Sequence, residues 1–283
     1  MRQYIELLRP YIALPPLIAF IIAAKVGNQS LSVVSTLMGS LVLLLIVTAA
    51  TIYNDIEDRA VDRDNRPPLE QFITFTSVVR AAYVTCVIYT LAAILALLSG
   101  NHYAIAFVLI GLILSWAYNS APLRLSRRPL SSIITLGVSY GPLPILFGGQ
   151  SVSPLVLGLA AAWFLQRCGI SILKDYKDVI GDAKHRKRTF LLAYGPKATA
   201  TISLLLGTIG GVAALVLLHS RLAVGPLSAN VMTVVLSAGL VGLLIYRSKL
   251  LRSDTKQSAK LFGTIFEYQN IYDGILLICL IQS

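Results

Sequence analysis

Charge is what this chain has least of. Only 13% of its 283 residues are Asp, Glu, Lys or Arg, where a soluble globular domain carries about a quarter. That shortage excludes an ordinary water-soluble enzyme. Acidic residues are the scarcer sign, 13 against 24 Lys and Arg, so their placement carries information. Cysteine is rare as well: Cys86, Cys168 and Cys279 each lie in an apolar stretch, with no CxxC pair. Neither a zinc site nor a disulfide framework is indicated, and the three read as small apolar packing residues. Long polar stretches are missing too, which leaves no room for a separate soluble domain. Residues 1–283 read as a single integral-membrane domain.

What the sequence has in abundance is apolar residues. They make up 56% of the chain, the mean hydropathy is +0.74, and they come in long blocks. A bilayer-spanning helix needs about 20 of them. Nine blocks qualify or nearly so, at 10–26, 33–53, 74–98, 103–118, 130–148, 153–173, 198–218, 226–246 and 262–281. The fold class expected is therefore all-α, a polytopic membrane protein with nine transmembrane helices. Arg2 and Arg9 followed by the apolar run Ile12 to Ala24 imitate a signal peptide. Pro15 and Pro16 interrupt that run and many spans follow it, so it reads as a retained first helix.

The net charge of +11 would suggest nucleic acid in a soluble protein. Here no nucleic-acid partner is expected, because the basic residues sit in short loops between apolar blocks. Alternate loops hold nearly all of them: Arg59, Arg63, Arg66, Arg124, Arg127, Arg128, Lys177, Lys184, Arg186, Lys187, Arg188, Arg247, Lys249, Arg252 and Lys256. The other loops hold little beyond Lys25 and Arg221. Loops rich in Lys and Arg stay cytoplasmic. The N-terminus is then inside and, after nine spans, the C-terminus outside, with the plasma membrane of a prokaryote as the expected location.

Two acidic clusters stand out, both on the cytoplasmic side. One reads Asn54-Asp55-Ile56-Glu57-Asp58-Arg59-Ala60-Val61-Asp62, the other Lys174-Asp175-Tyr176-Lys177-Asp178-Val179-Ile180-Gly181-Asp182. Each places Asp at i, i+3 and i+7, which groups three carboxylates on one side of a helix. Each ends an apolar block, the second and the sixth. Grouped like charges repel, so a cation belongs among them. Oxygen ligands without His or Cys favour Mg²⁺ over zinc or copper, and Mg²⁺ prefers a few carboxylates, retained waters and phosphate oxygens. A single cluster reads equally well as a solvated helix end. Two with matched spacing on one side of the membrane point to diphosphate held through bridging Mg²⁺.

These residues resemble the two aspartate motifs of the UbiA superfamily of intramembrane prenyltransferases. The match extends to the helix count, to the motif positions after the second and sixth helices, and to the run Asp62-Arg63-Asp64-Asn65-Arg66-Pro67. The resemblance implies nine helices around a central cavity. It also implies Mg²⁺-dependent transfer of an isoprenyl group from an isoprenyl diphosphate to a lipophilic or aromatic acceptor within the bilayer. On this resemblance Asp55, Asp58, Asp62, Asp175, Asp178 and Asp182 are the metal-binding and catalytic residues, with Asn54 beside them. The segment from Tyr118 to Arg128 is similar to a family loop that pairs a Tyr with a diphosphate-binding Lys. Ser126 stands about where that Lys is common, so Arg124 or Arg127 is the candidate replacement, unless both only set topology.

Lys174 and Lys177, inside the second cluster, are candidates to offset carboxylate repulsion or to bind phosphate. Arg59, Arg63 and Arg66 flank the first; Arg59 is a candidate phosphate ligand although its position points off the carboxylate face. The run Lys184 to Arg188 reads as an anchor to anionic lipid. Ionisable groups inside spans are costly and each asks for a function. Arg167, Ser171, Lys174 and Asp178 fall on one helical face, so Arg167 points into the cavity below the second motif. It pairs there with Glu267 or Asp273, near Asn270, or binds an anionic group of the acceptor. Gly141-Pro142-Leu143-Pro144 breaks the fifth span on a side that faces protein or a cavity. Two other functions stay open: a terpene cyclase using the same ionisation, and, outside enzymes, a transporter. Transporter sites lie near the midplane, whereas these acids cluster at helix ends.

Overall fold

The computed structural model describes residues 10–27, 31–65, 75–219 and 226–282. The residues Arg2, Arg9, Arg66, Pro67 and Arg221 lie outside them. Every regular element among the described residues is helical: α1 Pro10–Val26, α2 Val33–Glu57, α3 Arg59–Asn65, α4 Phe75–Leu98, α5 His102–Asn119, α6 Pro129–Tyr140, α7 Pro142–Gly149, α8 Pro154–Ser171, α9 Asp175–Lys184, α10 Phe190–His219, α11 Pro226–Lys249 and α12 Thr255–Gln282. The nine apolar blocks fall on these helices, with α6 and α7 sharing the fifth block.

Local chemistry sets the helix starts. Ser32 caps α2 by accepting the Ser35 N–H at 3.1 Å, and Asn101 caps α5 by accepting the Tyr103 N–H at 2.9 Å. Ser153 caps α8 with Pro154 at its first position, where a missing N–H costs nothing. The break between α6 and α7 falls at Gly141, whose φ of −118° and ψ of −91° leave the helical region ahead of Pro142. A side chain at Gly141 would collide with the backbone of Trp163 and Phe164. The expected break therefore packs against α8 and not against lipid.

Among the described residues, seven helical stretches are long and apolar enough to cross a membrane: 33–57, 78–98, 102–119, 129–149, 154–184, 190–219 and 234–252. The apolar helix at 11–26 is shorter, and α12 does not join the seven. Large apolar side chains such as Tyr83, Leu97, Leu98, Leu205, Val216 and Val234 are exposed on helix exteriors. Exposure on that scale suits a lipid solvent and would aggregate in water. The interior holds three buried clusters. One joins α1, α7, α8, α10, α11 and α12 around Trp163, and another joins α1, α2, α4, α5 and α7 around Phe20, Leu43, Phe107 and Phe147. The third, around Cys168, Leu173, Tyr176, Phe190 and Ile265, underlies the second acidic motif. Cys168 and Cys279 are buried, in keeping with packing roles, while Cys86 is exposed.

Candidate active site

A cavity of about 300 Å³ opens among α1, α2, α3, α5, α6, α7, α8, α9 and α12. Among the described residues, helices α4, α10 and α11 add none to its lining. At one end it gathers Asp55, Asp58, Asp62, Asp178 and Asp182, with Lys174, Lys177 and Lys187. Elsewhere its wall is apolar and aromatic, with Ile46, Val47, Phe107, Leu114, Leu143 and Phe266. One chamber thus combines a charged mouth with an oily interior.

The first motif enters from the end of α2 and from α3. Asp58 interrupts the helix as the C-cap of α2, its N–H bonded to the Asn54 carbonyl, and α3 then carries Asp62. Asn54 donates to Asp58 at 3.3 Å and to Asn119 at 2.7 Å, tying the motif to α5. Tyr53 and Ser120 are hydrogen-bonded beside it.

The second motif follows α8 through a single 3₁₀ turn, Ile172–Lys174, into α9. Arg167, Ser171, Lys174 and Asp178 all line the cavity, as one shared helical face requires. Lys174 donates to the Tyr118 hydroxyl at 2.5 Å and lies over that ring. Tyr118 also meets Ser132 at 3.2 Å. The cation expected beside Tyr118 from Arg124 or Arg127 is therefore supplied by Lys174, from a different helix. Arg124 is exposed and Arg127 half-buried, and neither reaches the cavity wall.

Lys187 joins the two motifs. Its ammonium donates to Asp58 at 3.0 Å and lies 3.6 Å from Asp182. Burial works against its charge, but the Asp58 and Asp182 carboxylates more than offset that and raise its pKa above the usual lysine value. The run Lys184 to Arg188 is thus not simply an anchor to lipid. Lys184 and His185 bond Asp64 at the protein surface, at 2.6 Å and 2.7 Å, and these bonds hold the Asp64 carboxyl below its usual range. Asn65 accepts the Gly181 N–H at 2.6 Å. A side chain at Gly181 would strike the Val61 carbonyl and Asn65, so only glycine lets α3 approach α9 this closely.

Five expected site residues lie off the cavity wall. Arg59, Arg124 and Arg127 point elsewhere. Asp175 is buried on the flank of α9, where its carboxylate accepts the Phe190 N–H. Asn270 is buried in α12. Arg167 itself pairs with Asp273 at 2.5 Å, which settles its partner, since Glu267 is exposed. The residue that spacing missed is Lys187. Its only signal was that it follows Asp182 within a basic run, and charge alone does not tell an inward lysine from an outward one.

Among the described residues no three His, Cys, Asp or Glu side chains converge on one ion position. The donor set still fits Mg²⁺. It is all oxygen, spread over two motifs around one chamber, and a cationic ammonium already sits between Asp58 and Asp182. Mg²⁺ commonly takes one or two carboxylates and completes its shell with water and phosphate oxygens.

Comparison with known proteins agrees with this architecture. Residues 13–271 match the UbiA prenyltransferase family. The digeranylgeranylglyceryl phosphate synthase of Methanospirillum hungatei is 31% identical over 235 residues, covering 77% of each chain. The bacteriochlorophyll synthase 34 kDa chain of Chloroflexus aurantiacus is 29% identical over 193 residues, covering 66% of this chain and 60% of its own. The solved structure of a UbiA homolog from Archaeoglobus fulgidus bound to GPP and Mg²⁺ superposes with a TM-score of 0.71 at 18% identity, over 98% of this chain and 99% of that one. With the family match spanning most of the sequence, the chain belongs to the UbiA prenyltransferase family and is a prenyltransferase.

Proposed function

We propose that this protein transfers an isoprenyl group from an isoprenyl diphosphate to a lipophilic acceptor inside the bilayer, with Mg²⁺, and releases diphosphate. The observation that carries this reading is the junction of the two acidic motifs. Asp58 and Asp182, 124 positions apart in a 283-residue chain, share the Lys187 ammonium at the charged end of an otherwise apolar cavity. Single copies of such motifs are ordinary helix ends. Two that close over one apolar chamber suit a substrate with a diphosphate head and a hydrocarbon tail.

The residues divide the work. Asp55, Asp58, Asp62, Asp178 and Asp182 would hold Mg²⁺, with Asp175 supporting them from the flank. When bound there, Mg²⁺ would offset the charge that builds on the leaving diphosphate. Lys174, Lys177 and Lys187 bind phosphate oxygens directly. Tyr118, oriented by Lys174 and Ser132, and Phe262 and Phe266 turn aromatic surface toward the site where the allylic carbon becomes positive. The apolar wall excludes water, which would otherwise capture that carbon. As the C–O bond breaks, its electron pair leaves with diphosphate. The acceptor's nucleophilic atom then bonds to the allylic carbon, and the acceptor's displaced proton is lost to a base or to water.

The membrane arrangement belongs to the same proposal. Nine spans cross the bilayer, the seven strongest joined by α1 and α12. The cavity mouth and N-terminus are cytoplasmic, the C-terminus is outside, and the host is a prokaryotic plasma membrane. The distribution of Lys and Arg between alternate loops supports this orientation. Incubating purified protein with labelled geranylgeranyl diphosphate, Mg²⁺ and a lipid extract, then identifying the prenylated lipid by mass spectrometry, tests the function. Product should form with Mg²⁺ and vanish with EDTA. Diphosphate release that needs no acceptor and gives a cyclised hydrocarbon would replace transfer with cyclisation.

A further inference from the structure

Aromatic rings close the cavity at the end away from the carboxylates. Phe107 lines the wall, and its ring stacks on Phe147 with centroids 4.7 Å apart and planes inclined by 23°. Phe147 in turn packs on Phe20 at 4.7 Å. All three side chains are buried, and of the three only Phe107 faces the cavity. Behind them the helices approach as closely as glycine allows. A Cβ added at Gly39 would lie 2.5 Å from Phe20 Cζ and 3.3 Å from Phe147 Cζ. One added at Gly148 would lie 2.1 Å from the Phe20 carbonyl oxygen. The rear rings have nowhere to retreat, so a chain entering from the mouth stops at Phe107.

Two parallel helices give the depth of that stop. Asn54 of α2 donates to Asn119 of α5 at 2.7 Å, which sets the pair side by side near the mouth. Eight residues earlier on each helix stand Ile46 and Gly111, and these meet again: a Cβ at Gly111 would lie 3.0 Å from Ile46 Cγ2. Eight residues of helix span about 12 Å, and Phe107, one turn beyond Gly111, lies at about 18 Å. An extended isoprene unit, four carbon–carbon bonds of roughly 1.5 Å in zigzag, spans about 5 Å. Counted from the asparagine pair, the third unit passes between Gly111 and Ile46, and the fourth ends against Phe107.

We propose that Phe107, backed by Phe147 and Phe20, is the floor that measures the prenyl tail, so that the site takes donors of up to four isoprene units and excludes longer ones. This rests on the prenyl-transfer reading and adds to it the length class of the donor. Gly111 keeps the passage open. A branched alkyl side chain there would fill the space beside Ile46 and stop the tail after two units. A tail too long for the floor must either push apart three packed rings or hold its diphosphate short of the carboxylates. Either one weakens binding, because a well-packed wall resists extra methylenes.

Titration of the purified protein in detergent with Mg²⁺ and geranyl, farnesyl, geranylgeranyl or geranylfarnesyl diphosphate tests this without an acceptor. Inorganic diphosphate is the tail-free reference. In the wild type, affinity should rise with each unit through geranylgeranyl and then fall on the order of 10-fold for geranylfarnesyl. Phe107→Ala should remove that fall. Should the variant not fold, Phe107→Leu replaces it and should lessen the fall. Gly111→Leu should move the limit the other way and leave geranyl diphosphate the tightest ligand. Affinity that keeps rising past geranylgeranyl in the wild type would send the tail out beside Tyr11, which is exposed and also lines the cavity, and would overturn the floor. A limit left in place by the Phe107 variants, or by Gly111→Leu, overturns it as well. Geranyl diphosphate binding no tighter than inorganic diphosphate in the wild type would instead sink the prenyl-transfer reading itself.

Discussion

Asp58 and Lys187 show how one side chain serves two states of a site. With carboxylates of both motifs facing one chamber, a cation must stand between them, and the Lys187 ammonium does so at 3.0 Å and 3.6 Å. Replacing Lys187 with Gln should lower Tm in metal-free buffer, because Asp58 and Asp182 then face each other uncompensated. Added Mg²⁺ should recover more of that loss in the variant than it adds to the wild type; equal Mg²⁺ effects would remove Lys187 from the ion site. Asp58→Asn and Asp178→Asn each delete a formal charge at nearly constant size. Rates of prenyl transfer should fall by about 10²-fold or more, with membrane insertion and elution profile unchanged. Full activity in either variant would refute the assigned role.

At the scale of helices, the short α3 is clamped onto α9, and that clamp aligns the motifs. Gly181 permits the contact, and Asn65, Asp64, Lys184 and His185 hold it. Gly181→Ala should cost about 1–3 kcal/mol of stability through overpacking. It should also depress turnover more than it depresses binding of Mg²⁺ alone, because it separates the motifs without removing a ligand. Asp64 supplies the electrostatic part of the clamp. Its carboxyl is held below the usual range by hydrogen bonds from Lys184 and His185. Its contribution is therefore complete above the unfolded carboxylate pKa and disappears as pH falls through the lowered folded value. Thermal scans of wild type and Asp64→Asn should differ by a constant amount at neutral pH and converge only in acid. A difference that vanished near neutrality would mean that Asp64 is not the group holding the clamp.

For the whole molecule, the alternation of basic loops predicts an experiment on topology. In a cysteine-free background, Lys256→Cys should be protected from a membrane-impermeant maleimide applied outside intact cells, and His102→Cys should be labelled. The reverse pattern would invert the protein and put the diphosphate site outside. The sequence by itself determined the all-helical membrane class and the approximate helix limits, and it singled out two acidic clusters of which Asp55, Asp58, Asp62, Asp178 and Asp182 line one cavity, because apolar block length and i, i+3, i+7 spacing are local properties of one chain segment. It also determined that Arg167 shares a face with Lys174 and Asp178, since a single nearly continuous helix carries all three. Tertiary packing alone decided which partners meet across segments. Lys174 and not Arg124 or Arg127 reaches Tyr118, Lys187 turns inward to bridge the motifs, Asp175 falls to the flank, and Asp273 rather than Glu267 takes Arg167. Such pairings depend on how distant helices rotate and approach in low-dielectric surroundings, where every buried charge seeks the nearest opposite one, and no spacing within one segment encodes that distance.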